Sequence, residues 1–217
     1  MKKILTLLVM VALAACWVSC SDDDDKNEPD PTIPTKNEIT LTIKVNKYGK
    51  LDLFYPELFD DPEYEWEEEE AKNLKLYHKI PQDWEVNWGD GNTTNTTEHI
   101  YATEGTYNVT LKGTGITSLT PLEGDEEGCY IQNIDITKAP NLIILEVCYG
   151  EISALDISKN TALRVLSCER NSFTQETINN LLNSLPIKKA ENSNPLYLSI
   201  DSQWDISIAK EKGWQEF

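Results

Sequence analysis

Ile131–Gly150 reads IQNIDITKAPNLIILEVCYG, and Ile152–Asn171 reads ISALDISKNTALRVLSCERN. Laid on each other, the stretches pair Ile131 with Ile152, Ile134 with Leu155, Ile136 with Ile157, Leu142 with Leu163 and Leu145 with Leu166, each pair 21 residues apart. Neither a helix nor a strand has that period. An apolar pattern that returns at this interval belongs to stacked coils, each burying its apolar side on the next. Within a unit the spacing is LxxLxLxxN, clearest in Ile152–Asn160 and again in Leu163–Asn171. Val147 is the counterpart of Cys168 at an inward position, so Cys168 belongs to the core and Cys148 points the other way. A Cys148–Cys168 bridge is therefore not expected.

That period and spacing are those of leucine-rich repeats, and LDISKNTAL at Leu155–Leu163 resembles the short repeats of Bacteroides surface proteins. Only two units are clear, and such arrays need about three to be stable alone. The missing cover must come from both flanks. Downstream, residues 173–217 read as a cap. Thr174 is placed to cap a helix carrying Ile178, Leu181, Leu182 and Leu185 up to Pro186. Leu196, Leu198 and Ile200 alternate as a last strand, and Ile206–Lys212 is a short helix closed by Gly213. Upstream, Ile116–Leu119 is a degenerate half-unit, followed by the inserted EGDEEG of Glu123–Gly128.

Residues 38–112 carry a different pattern. Ile39, Leu41, Ile43 and Val45 alternate with Thr40, Thr42 and Lys44, the signature of a half-buried strand. Leu51, Leu53 and Tyr55 alternate after a turn at Gly49, and Leu74, Leu76 and His78 suggest a further strand. WEVNWGDGN at Trp84–Asn92 sets Trp84, Val86 and Trp88 on one face, then turns tightly at Gly89-Asp90-Gly91. His99-Ile100-Tyr101 and GTYNVTL at Gly105–Leu111 follow. WGDG, then HxY, then GxYxVTL resembles the PKD-type repeat, which implies an immunoglobulin-like β-sandwich. The expected fold class is mainly β with minor α: this sandwich (38–112) packed through Gly113 and Gly115 on a short leucine-rich-repeat solenoid (113–172), with the C-terminal helical cap (173–217).

The amino terminus speaks to location. Lys2 and Lys3 precede the short apolar run Ile4–Ala15, too short to span a bilayer and placed as a secretory signal. Ser19-Cys20 then leads into CSDDDDK at Cys20–Lys26. This resembles a bacterial lipoprotein signal peptide (1–19) with Cys20 as the lipidated residue, and the acidic run resembles the surface-export signal of Bacteroidetes lipoproteins. Cys16, after Leu-Ala-Ala, is the competing attachment point. Residues 20–37, rich in Asp, Pro, Asn, Thr and Lys, read as a disordered acidic tether. The resemblance implies an outer-membrane, lipid-anchored protein facing outward.

The net charge is −18, from 37 acidic and 19 basic residues. A phosphate backbone is repelled, so no nucleic acid is expected as partner. Part of the charge is the loop DDPEYEWEEEE at Asp60–Glu70, where Tyr64 and Trp66 either stack on sugars or anchor the loop. Cys129, Cys148 and Cys168 lack metal or disulfide spacing and read as buried thiols. Asp135 and Asp156 recur at equal positions. A carboxylate pair for glycoside hydrolysis is one reading; a turn group needed once per unit is the stronger one. Asp90 with Asn92 and Asn95 falls short of a calcium shell, and the turn explains it. With two His and no nucleophile motif, no catalytic residue, metal or cofactor is expected. The expectation is a non-catalytic surface module binding protein or glycan, with the outward strand residues Ile144, Glu146, Ser167 and Glu169 as the candidate face. The alternative is a glycan-processing enzyme or an accessory subunit of a polysaccharide-utilisation system.

Overall fold

The computed structural model describes residues 36–46, 49–54, 80–122, 128–187 and 196–216. The signal segment, Cys16, Cys20, residues 20–35 of the expected tether, the acidic loop with Tyr64 and Trp66, and the expected strand at Leu74–His78 lie outside them; Asn37, the tether's expected last residue, is instead buried at the start of the first strand, where it joins the sheet. The described chain is mainly β, with two helices.

Apolar alternation builds the first sheet. β1 (Asn37–Val45) buries every second side chain, beginning Asn37, Ile39, Leu41. It sits between β6 (Gly105–Thr114) and β8 (Cys129–Lys138), antiparallel to both. β3 (Gln82–Asn87) extends the sheet beside β6, and β4 (Thr93–Thr94) is its edge, giving the order β4-β3-β6-β1-β8. β2 (Gly49–Asp52) and β5 (Glu98–Tyr101) pair separately. Trp88 is fully buried just past β3; its indole N–H donates to Thr94 Oγ1 (2.8 Å), and its carbonyl accepts the Tyr101 hydroxyl (2.9 Å). Gly89 follows at φ 81°, where a Cβ would stand 2.7 Å from Asn108 O, so this corner admits no larger residue. Gly113 meets the same limit against Trp84, 2.8 Å from its Cβ. Trp84 lies beside a register shift in β3 and is half-buried, packing edge-on against Phe54.

The second sheet is parallel throughout: β7 (Ser118–Leu119), β9 (Ile144–Glu146), β10 (Val165–Ser167), β11 (Leu196–Ser199) and β12 (Trp214–Glu216). β9 and β10 pair Ile144 with Val165 and Leu145 with Leu166, so the sequence repeat of 21 residues becomes one step across the sheet. Asparagines tie the units together. Buried Asn160 donates to the carbonyls of Ile136 and Ala139 (3.0 and 2.8 Å), and Asn171 donates to that of Val147 (2.7 Å).

Two segments depart from the sequence reading. Cys129–Lys138 includes the first half of the first repeat unit, yet it is the edge strand of the antiparallel sheet; its counterpart from Ile152 forms no strand. The matched side chains are still buried in both, because both press on one core that runs from Ile39 to Trp214. The expected last strand is also not last, since β12 adds Trp214 and Gln215 beside Leu196 and Tyr197. The helices follow expectation. α1 (Gln175–Ser184) is capped by Thr174, in a capping box with Thr177, and buries Ile178, Leu181 and Leu182. α2 (Ser207–Glu211) ends before Gly213 at φ 86°.

Candidate functional site

The four residues expected on an open strand face do not form one. Ile144 and Ser167 are buried; Glu146 and Glu169 are half-buried. Ile144 stands in register between Ser118 and Val165, both fully or almost fully enclosed. Ser167 Oγ lies 3.0 Å from Cys148 Sγ, and the Glu169 carboxylate accepts from the Ser199 hydroxyl. Glu146 and Ser167 are register partners on neighbouring strands, but the side of the sheet expected to be open is covered at Ile144 and Ser167.

Exposure instead begins where the strands end. Tyr149 follows β9 and Arg170 follows β10, again 21 residues apart. Both take left-handed backbone, at φ 62° and 53°, a conformation that costs a residue with a Cβ about 1–2 kcal/mol. Hydrogen bonds hold them there: Tyr149 N donates to Glu169 O (3.0 Å), and Arg170 N donates to Asp201 Oδ1 (3.0 Å). The Arg170 guanidinium carbon lies 5.3 Å from the Tyr149 ring centre, a cation–π contact. Tyr149 remains 56% exposed and Arg170 is exposed too. Among the described residues no carboxylate forms an ion pair with Arg170. The sequence signal for this pair was its common offset in the repeat; the left-handed backbone was hidden, because neither residue is glycine.

The carboxylates behave as structural groups. Asp135 Oδ1 accepts the Thr137 hydroxyl and N–H (2.6 and 2.9 Å), and these bonds hold its pKa below the usual value. Asp156 is likewise lowered by hydrogen bonds from Ser158. Asp205 repeats the arrangement with Ser207, a third Asp-Ile-Ser/Thr turn the sequence reading passed over. A general acid for glycoside hydrolysis needs the opposite shift. At Asp90, burial raises the pKa, but the Asn92 N–H, His99 and the Asn92 amide outweigh it and leave it lowered. Asp90 Oδ2 is 2.7 Å from His99 Nε2, and the His99 ring stacks on Trp88 and meets Tyr101 edge-on. The turn therefore engages both Asp90 oxygens. No group of three metal-ligating side chains occurs among the described residues. Cys129, Cys148 and Cys168 are buried and in no disulfide, and burial pushes Cys148 and Cys168 upward, away from reactive thiolate. Among the described residues no helix is long and apolar enough to cross a membrane.

No protein-family model matches the chain, and no curated protein or solved structure matches it significantly.

Proposed function

We propose that this chain is a Bacteroidetes-type outer-membrane lipoprotein, attached through Cys20, whose PKD-like sandwich and short leucine-rich-repeat solenoid present a non-catalytic binding surface for protein or glycan. The strand order β4-β3-β6-β1-β8, with the Trp88, His99 and Tyr101 cluster at the Gly89-Asp90-Gly91 turn, supports the sandwich. The 21-residue step between parallel strands and the asparagines bridging successive units support the solenoid. The observation that carries the binding reading is the exposed Tyr149–Arg170 pair, displayed by successive repeats at strained backbone.

The enzymatic alternative gains no support from the carboxylates. Every described carboxylate with a shifted pKa is shifted down, at Glu38, Asp90, Asp135, Glu151, Asp156 and Asp205, so each is a base or a charge rather than a proton donor at neutral pH. The test is a glycan and host-protein array probed with the fragment from residue 27 onward. Saturable binding without change to the ligand is expected. Release of sugar products from any arrayed glycan refutes the module reading. Anchoring is tested by replacing Asp22–Asp25 with Ala: the protein should stay membrane-bound but become hidden from external protease.

A further inference from the structure

We propose that Tyr149 and Arg170 form a docking point for a neutral sugar ring, an assignment that rests on the binding-module reading above. Both positions require left-handed backbone, where glycine is the low-cost choice and asparagine the next. The chain has those residues one place late in each unit: Gly150 follows Tyr149, and Asn171 follows Arg170. A fold shaped for stability alone would carry glycine at 149 and 170. The two side chains are kept against the backbone preference, and strain retained in this way marks function.

What they present is specific. The guanidinium lies over the Tyr149 ring, and Tyr149 as a whole is still 56% exposed. An open aromatic face suits the C–H face of a pyranose. The planar guanidinium offers donors and no acceptor, forms no ion pair with a carboxylate among the described residues, and so suits adjacent hydroxyl oxygens. The net charge of −18 repels acidic glycans and acidic peptides, so among sugars it leaves the neutral ones unopposed.

The experiment is affinity electrophoresis of the full-length protein in detergent, through native gels containing amylopectin, galactomannan or arabinoxylan. Gels with polygalacturonate or polyglutamate are the acidic comparisons. Retardation by at least one neutral polysaccharide is expected. It should weaken roughly tenfold or more in Tyr149→Gly and in Arg170→Gly, and persist in Tyr149→Phe, which keeps the ring. The same two glycine variants should melt at or above the parent temperature, by up to roughly 2–8 °C. Retardation by no neutral polysaccharide, or only by the acidic polymers, overturns the assignment of ligand. Undiminished retardation of both glycine variants overturns the site while leaving the binding-module reading intact. A lower melting temperature in both glycine variants overturns the argument from strain.

Discussion

Replacing Asn171 by Ala should cost more than any other single polar truncation in the repeat region. Asn171 Oδ1 accepts the N–H of Ile152 (3.0 Å), and its Nδ2 donates to Val147 O in the preceding unit and to Cys168 O and Glu169 O in its own (2.7, 3.1 and 3.2 Å). Ile152 is fully buried, and an orphaned buried N–H costs about 1–3 kcal/mol. The two Nδ2 protons serve those three carbonyls between them, and losing them adds about 1 kcal/mol per proton. Asn171 is only half-buried, so water reaches part of the vacated site and the net loss falls to about 2–3 kcal/mol. For a chain of this size that lowers Tm by roughly 4–12 °C, measured by circular dichroism. Asn171→Asp separates the two halves of the effect. It retains the acceptor for Ile152 but turns a carboxylate oxygen toward three carbonyls, so at neutral pH it should destabilise at least as much as Ala. Its deficit should shrink in acid, as the carboxyl gains a proton to donate. A Tm within about 1 °C of the parent for Asn171→Ala, or an Asp variant as stable as the parent, refutes the bridging role.

A fragment starting at Gly113 should aggregate or remain largely unfolded, because it strands β8 without β1; a cooperative melt would show that the parallel sheet stands alone. Trp88→Ala should cost about 3–5 kcal/mol as a fully buried indole, whereas added calcium should leave the parent's melt unchanged; a calcium-induced rise abolished by Asp90→Ala would make Asp90 a ligand. Asp90 and Asp135 have depressed folded pKa values, so their stabilisation is present above the unfolded carboxylate value near 4 and lost as pH falls through the folded values. The stability gap between the parent and the Asp90→Asn, Asp135→Asn double variant, read from urea midpoints, should therefore narrow below about pH 4; a gap that widens in acid contradicts the assigned shifts.

Local patterns carried much of this fold. The alternation in β1, the Thr174 cap and the Gly213 stop follow from side-chain chemistry within a few residues. What stayed hidden depends on partners. Ile131, Ile134 and Ile136 bury the same side chains whether their backbone bonds to β1 or to nothing regular, so their likeness to Ile152, Leu155 and Ile157 could not reveal which sheet holds them. β12 is three residues long, too short to alternate, and becomes a strand only beside β11. At the candidate site, periodicity carried nothing about what encloses Ile144 and Ser167, both of which are buried. The sign of φ at Tyr149 and Arg170 has no compositional mark.

The placement of β1 between β6 and β8 has a mechanical consequence. Its register runs from Asn37 opposite Gly113 to Val45 opposite Gly105, with β8 matched on the other flank. The chain leaves β6 beside Gly113 and β8 at Lys138, both at the end where Asn37 enters, so a pull on the chain ahead of Asn37 that is resisted at the repeats opens both ladders from that end. Opening from one end breaks the hydrogen bonds in sequence, where shear would oppose many at once. Because β1 is flanked on both sides, each step of that opening breaks its bonds to two neighbours together.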